Sequence, residues 1–336
     1  ITVTFECFKA GQLIYPGKEY AGEVKIIEIG YPWKKIEEEG LAPNRIYLDK
    51  KIAKTLYQPR KGFYHKGKTG HLLVLAGSRG KSGAGYLTAL GALRAGVGLV
   101  TLASTKSLQL TYSSMLPEAL TLGLPESDGE VSGEGIDLLL SALFRKKAIV
   151  VGPGFGLGSG AKKLLFALLE KANLPLLLDA DALTLISEDL ELLKRYSYPK
   201  VLTPHPGEAA RLLSCEPNEV LKDPLLAINT LIERTLATIV LKGPHTIIAS
   251  PSGKIYISSI DAPGLAQGGT GDVLSGVIGA LMAQGYSAHH ASALGVYLHG
   301  AAAKLLEETY GPFGFTAVDI AKTIPTVIKK LEEDKN

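Results

Sequence analysis

The strongest constraint on the fold of this chain is a rhythm that begins at residue 70. Short runs of Val, Leu and Ile are each followed by a glycine turn, and then by a stretch with helical apolar spacing. His71–Leu75 has the pattern of a strand, and Gly83–Val97 that of a helix. Leu99–Ala103, Ala148–Val151, Pro175–Leu178, Val201–Thr203 and Ile239–Lys242 continue the series of strands. The runs are apolar throughout instead of alternating, as expected for parallel strands buried on both faces. Strands alternating with helices predict an α/β chain with a mainly parallel central sheet and helices on both faces. The segment TIIAS-PSGK-IYISS adds a hairpin that turns near Ser252-Gly253.

In such sheets ligands sit beyond the carboxyl ends of the strands. That rule marks four loops, Gly77–Gly85, Gly152–Gly160, Thr203–Glu208 and Lys242–Thr246. The GGTGD at 268–272 instead opens an apolar helix, Val273–Gln284.

The 336 residues suffice for one large domain or two smaller ones. A net charge of +3, with no basic block interleaved with aromatics, argues against a nucleic-acid partner. No apolar run reaches membrane-spanning length. The two cysteines, Cys7 and Cys215, allow neither a disulfide framework nor a cysteine zinc site, and are expected to be reduced thiols of a cytoplasmic protein. The opening ITVTFECF alternates like a strand from the middle of a sheet. It leads us to expect an upstream domain.

LAGSRGKS (75–82) invites comparison with a phosphate-binding P-loop. The G-x-x-x-x-G-K-[ST] pattern requires glycine where Leu75 stands, and Gly77 comes too late for the loop to wrap a phosphate. AQGGTGDVLSGVIGAL (266–281) is the better anion site. Gly268, Gly269 and Gly271 permit close backbone approach, and the helix N-terminus offers unpaired N–H groups and a positive dipole end. Asp272 in the first turn could serve the dipole alone. Beside an anion cradle it could also act as general base on a hydroxyl that receives a phosphoryl group.

Other motifs leave alternatives open. Gly156-x-Gly158-x-x-Ala161, with Asp179 or Asp181 further on, is a loose dinucleotide fingerprint, but Pro153 and the extra glycines lengthen the turn. In DADAL (179–183) one acid is expected to cap the following helix, and a magnesium or hydroxyl contact is the other reading. TPHPGE (203–208) holds His205 between two prolines at a strand end. Glu208 could cap the next helix or place a metal-bound water. Lys242 in LKGPHT (241–246) is a candidate phosphate contact, with His245 facing solvent or a nucleotide. No pair of histidines has a metal-binding arrangement, so no residue is assigned to a metal.

Together these stretches resemble the nucleotide-dependent NAD(P)H-hydrate dehydratases of the ribokinase-like superfamily. The resemblance is carried by HKGKTGHLLVLAGS (65–78), GAGYLTALGALRAGVGLVTLAS (83–104), VVGPGFG (150–156), LLLDADAL (176–183), VLTPHPGEAARLL (201–213), VLKGPHTII (240–248) and GGTGDVLSGVIGALMAQG (268–285), in family order. It implies a ribokinase-like fold and a domain division: residues 1–32 as the tail of an upstream epimerase domain of the same polypeptide, 33–48 as linker, and 49–336 as the dehydratase domain. The implied activity is a lyase reaction in metabolite repair, the dehydration of the S form of hydrated NADH or NADPH. ADP or ATP is the co-substrate and Mg2+ the cofactor. Asp272 would be the catalytic base. Ala84, Gly154, Gly156, His205 and Asp272 would contact the hydrate. Lys242, Gly243, Pro244, His245, Thr246, Gly269, Thr270 and Gly271 would contact the nucleotide. A homo-oligomer is expected.

Two rivals share the cradle. A ribokinase-like kinase of a vitamin or small alcohol would leave a stable phosphate ester. A non-catalytic nucleotide-sensing module would not need a base at Asp272. Lys81 either touches a phosphate of the dinucleotide or points to water.

Overall fold

The structure is a computed structural model that describes residues 1–41, 43–60 and 69–333. Residues 65–68, which begin the expected stretch 65–78, lie outside the described residues.

The strands in chain order are β1 (Thr2–Phe5), β2 (Val24–Ile27), β3 (Arg45–Leu48), β4 (His71–Leu75), β5 (Leu99–Thr105), β6 (Leu120–Leu124), β7 (Glu126–Ser127), β8 (Glu130–Val131), β9 (Ala148–Val151), β10 (Leu176–Leu178), β11 (Lys200–Leu202), β12 (Thr238–Leu241), β13 (Ile247–Ala249) and β14 (Ile255–Ser258). Ten of them form one sheet in the order β3-β14-β13-β12-β11-β10-β9-β4-β5-β6. Pairing from β12 through to β6 is parallel, and β13 joins β12 and β14 antiparallel, as the expected hairpin.

Alternate residues of each buried strand feed opposite faces. Leu72, Val74, Val150, Leu177 and Val201 pack under the helices Ser82–Arg94, Thr270–Ala283, Ala288–Tyr310 and Ala317–Glu333. Leu73, Leu75, Val151, Leu178 and Leu202 pack under Ser159–Lys171, Pro206–Leu213 and Pro224–Thr235. Both faces are covered, which explains why the central strands β9 and β10 are apolar at every position. This is the ribokinase-like arrangement.

The chain steps outward from β4 to β5 and β6 in one direction, and from β9 to β12 in the other. The neighbours β4 and β9 therefore flank a topological switch point, where the loops beyond their carboxyl ends part and leave a crevice. The site is built there.

Over that crevice the helices Ser82–Arg94 and Thr270–Ala283 approach backbone to backbone. A Cβ added at Gly276 would lie 2.0 Å from the Thr88 carbonyl oxygen, and one at Gly91 would lie 2.6 Å from the Val273 carbonyl oxygen.

Some of the sheet departs from expectation. Arg45–Leu48, placed in the linker by the expected boundaries, pairs with β14 as an edge strand. The packed unit thus begins before residue 49. Trp33–Glu38, also in the expected linker, is a short helix. Leu120–Leu124, in a stretch without clear periodicity, is the opposite edge strand. Four- and five-residue edge strands with exposed positions carry little periodic signal, and their partners lie elsewhere in the sequence. Among the described residues no helix is long and apolar enough to cross a membrane.

Gly276→Ala tests the helix contact. Alanine at a helix interior gains about 1 kcal/mol in propensity. The missing space at Thr88 outweighs this, since overpacking costs roughly 1–3 kcal/mol and backbone cannot rotate away. A lowered denaturant midpoint at unchanged slope is expected, and an unchanged or raised midpoint would refute the close approach.

Candidate active site

Four loops and one helix start converge at the carboxyl edge of the sheet. Beyond β4 and β9 the two switch-point loops are laced together. Gly77 N–H donates to the Pro153 carbonyl at 2.9 Å, and Ser78 Oγ donates to the Gly154 carbonyl at 2.9 Å. Gly154 has φ +58, and a Cβ there would lie 2.9 Å from the Cβ of Ala84. The expected hydrate contacts Ala84 and Gly154 are thus brought side by side, and only glycine fits the second position. Gly156 follows at φ +100, with its N–H donating to Asp181 Oδ2 at 2.8 Å.

Asp181 also pairs with Lys81 at 3.0 Å. The Lys81 side chain, 49% exposed, thus reaches solvent as well as this carboxylate. The expectation that one acid of DADAL caps the next helix is not met. The N-cap residue of Asp181–Ile186 is Ala180, at φ +50, with no side-chain cap. The two acids are spent on tertiary contacts instead.

Asp179 makes the most consequential of these. Only 1% exposed at the end of β10, it accepts from Lys242 Nζ at 2.8 Å and from Ser275 Oγ at 2.7 Å. Lys242 lies 3.8 Å from Glu208 Oε2, and its side chain is 21% exposed. Burial works against the Lys242 charge, but the Asp179 and Glu208 carboxylates outweigh it and hold its pKa above the ordinary lysine value. Burial raises the pKa of Glu208, with Lys242 opposing. The Lys242 ammonium lies 3.5 Å from the position a Cβ would take at Gly271, which places it at the mouth of the cradle.

The cradle has the expected form. Gly269, at φ +89, is the N-cap residue of Thr270–Ala283, a helix of 14 residues. Thr270 Oγ1 donates to the Leu265 and Gln267 carbonyls, at 2.9 and 3.1 Å, and fixes the entry of the loop. Asp272 follows in the first turn. Burial is the largest influence on its carboxyl; Asp179 and Asp181 reinforce it, Lys242 opposes it, and the pKa is pushed up to about 7. A carboxylate with that value can take a proton from a hydroxyl near neutral pH.

His205 heads the helix Pro206–Leu213 in a reciprocal capping box. Its Nδ1 accepts from Gly207 and Glu208 N–H at 3.0 and 3.2 Å, and its own N–H donates to Glu208 Oε2 at 2.8 Å. The capping reading of Glu208 holds. Nδ1 being an acceptor, the neutral ring keeps its proton on Nε2.

A cavity of about 650 Å³ opens beside the cradle. It gathers Lys242, Gly243, Pro244, Thr246, Thr270 and Gly271 of the expected nucleotide set, together with His205. This volume lies within the range of small-molecule sites. The cavity also takes in Asp261, Gln267 and His299, which sequence reasoning did not single out. Neither Gly269 nor His245 lines it. The buried His245 ring stacks on Tyr15 at 5.7 Å between centroids. Among the described residues no group of three or more His, Cys, Asp or Glu side chains could hold a metal.

A glycine-led helix start, a lysine and a half-buried carboxylate at the switch point of a doubly covered parallel sheet put the chain among ribokinase-like proteins. The model of the NAD(P)H-hydrate dehydratase family matches residues 72–326. A bifunctional NAD(P)H-hydrate repair enzyme of Moorella thermoacetica is 36% identical over 334 residues, 99% of this chain and 63% of its own length. The ADP-dependent (S)-NAD(P)H-hydrate dehydratase of Neisseria meningitidis serogroup B is 39% identical over 266 residues, 76% of this chain and 84% of its own. The crystal structure of the ADP/ATP-dependent NAD(P)H-hydrate dehydratase of Bacillus subtilis, co-crystallised with ATP/Mg2+, superposes with a TM-score of 0.73 at 29% identity, covering 86% of this chain and all of that one. The chain belongs to the NAD(P)H-hydrate dehydratase family. It spans about 63% of the length of the bifunctional relative.

The raised Asp272 pKa has a stability consequence. Between about pH 4 and pH 7 the folded chain keeps a proton that the unfolded chain, near the ordinary value of 3.8, has released. Stability therefore falls as pH rises through this window. Asp272→Asn removes the effect, so its melting temperature should gain on the wild type from pH 4 upward and level off above pH 7. A difference independent of pH would contradict the assignment.

Proposed function

We propose that this chain dehydrates the S form of hydrated NADH or NADPH, with ADP or ATP as phosphoryl donor. The observation that carries the reading is Asp272, its pKa near 7, in the first turn of a helix whose N-terminus is an anion cradle with Lys242 at its mouth. Hydroxide leaves a ring carbon poorly, and phosphate leaves well. Asp272 takes the proton of the substrate hydroxyl as its oxygen forms a bond to the terminal phosphorus of the nucleotide. The bond from that phosphorus to the bridging oxygen breaks, leaving AMP from ADP or ADP from ATP. The lone pair of the ring nitrogen then expels phosphate to leave an iminium, and loss of a proton from the adjacent ring carbon to water restores the reduced nicotinamide.

The N–H groups of Gly269–Gly271 and the Lys242 ammonium stabilise charge on the phosphoryl group in flight, and as fixed groups they need no reorganisation. The cavity lined by Gly243, Pro244 and Thr246 takes the nucleotide. The crevice at Ala84, Gly154 and Gly156 takes the hydrate, and His205, on the lining of the neighbouring cavity, is the further hydrate contact of this proposal. Asp179 and Asp181 are already satisfied by Lys242, Ser275, Lys81 and the Gly156 N–H. Mg2+ therefore fits as an ion carried by nucleotide phosphates and water, not by a protein cage. It would supply charge neutralisation. ADP is the preferred donor in this proposal, in line with the name of the Neisseria relative. A cytoplasmic setting agrees with the unpaired thiols of Cys7 and Cys215. The homo-oligomer expected from the family is checked by light scattering.

Incubating the folded protein with hydrated NADH, Mg2+ and either nucleotide should restore the near-ultraviolet absorbance of the reduced nicotinamide. Failure with both nucleotides overturns the proposal, and accumulation of a stable phosphate ester by mass spectrometry favours the kinase reading. Loss of a general base lowers kcat by about 10²–10⁴-fold, so Asp272→Asn should fall in that range. The wild-type kcat/KM should rise with pH through about 7 to a plateau, as Asp272 ionises. A variant within tenfold of wild type, about 1.4 kcal/mol of barrier, removes Asp272 from that role.

A further inference from the structure

The segment before the linker touches the loop between β12 and β13. Lys18 Nζ lies 2.5 Å from His245 Nε2 and 3.3 Å from Asp261 Oδ2. Tyr15 stacks on the same imidazole, its ring inclined by 17°. On the other side of that ring, His245 Nδ1 lies 3.3 Å from the Ser258 carbonyl oxygen. A carbonyl can only accept, so Nδ1 carries the proton, and Nε2 is free to accept from the Lys18 ammonium. The two partners select one neutral tautomer of His245 and tie it to β14 behind and to the upstream segment in front. Gly243, Pro244 and Thr246, within three residues of His245, line the cavity assigned to the nucleotide.

Asp261 lines that cavity too. A carboxylate there repels an anionic ligand unless a cation neutralises it. Lys18 is the cation paired with it, the two side chains being 29% and 41% exposed.

We propose that Lys18 is a positioning residue for the nucleotide site: from the upstream segment it neutralises Asp261 and clamps His245, so setting nucleotide affinity without touching the reacting atoms. The proposal rests on the assignment of this cavity to ADP or ATP. The upstream segment then contributes to the nucleotide site as well as preceding it. Because the Lys18–Asp261 pair is partly exposed, the effect is modest and sensitive to salt.

The test uses the full chain, with Lys18→Ala and, to keep the stem of the side chain, Lys18→Gln. Affinity for ADP with Mg2+ is measured by calorimetry, and folding is verified by circular dichroism and melting temperature. Both variants should weaken ADP binding by about threefold to tenfold at low salt, with a smaller loss at high salt and kcat within about twofold of wild type. Adding Asp261→Asn to Lys18→Ala should recover most of the lost affinity, which a loosened scaffold would not do. Unchanged affinity in folded Lys18 variants, or no recovery in the double variant, overturns the proposal. Absence of ADP and ATP binding by the wild type overturns the assignment of the cavity itself, and this proposal with it.

Discussion

The site is organised around one buried carboxylate. Asp179 sits at the carboxyl end of β10, where a charge in a dry interior is tolerated only with close partners. It has two, Lys242 from the end of β12 and Ser275 from the helix Thr270–Ala283. A single side chain thereby joins a central strand, the loop after β12 and the helix Thr270–Ala283. Removing one member of such a buried pair typically costs about 3–5 kcal/mol, because the other charge is left uncompensated. Exchanging the pair for apolar groups would leave the fold intact, but Lys242 would no longer reach the mouth of the cradle. The pair is therefore better understood as a device of position than as a source of stability.

The same carboxylate acts on Asp272 at a distance. Burial makes Asp272 reluctant to ionise, and the negative charge of Asp179 adds to that reluctance. Lys242 and the helix dipole pull the other way. Burial and like charge together win, by enough to bring the group near neutrality but not beyond it. A base of ordinary carboxylate strength would be too weak to deprotonate an alcohol, and one raised much further would stay protonated in the cell. The balance depends on three carboxylates, Asp272, Asp179 and Asp181, and one lysine, Lys242, brought together from segments spread across the chain.

This explains what could be foreseen from the sequence. The sheet was legible because each central strand is a short local run of mainly apolar residues, and burial on both faces writes itself into every residue of β9 and β10. The glycine-led helix start was legible for a similar reason, since GGTGD and the helix after it are contiguous. The edge strands β3 and β6 were not, because a short half-exposed strand has no pattern independent of its neighbour. The duties of Asp179 and Asp181 were likewise hidden. As residues preceding ALTLI they look like helix caps, and only the folded sheet brings Lys242, Ser275, Lys81 and the Gly156 N–H to them. His299 and Asp261 enter the cavity through helix packing and strand order, for which no local motif exists.

The dehydration chemistry also clarifies why the cradle and the base are separated by so little chain. In the proposed transfer step the oxygen that would lose its proton to Asp272 must bond to a phosphorus that Gly269–Gly271 would hold. The distance from base to phosphoryl group is then limited to two bonds and a hydrogen bond. A helix N-terminus satisfies this directly. Its first N–H groups point at the anion, while a side chain in the first turn stands beside the anion without entering it. Asp272 could not be moved one turn along the helix without losing reach. A carboxylate placed closer would compete with the phosphate for the same N–H groups. The first turn is thus the place where one short segment can supply both an electrostatic cradle and a base, and the burial that raises the Asp272 pKa to about 7 makes that base stronger than an ordinary carboxylate.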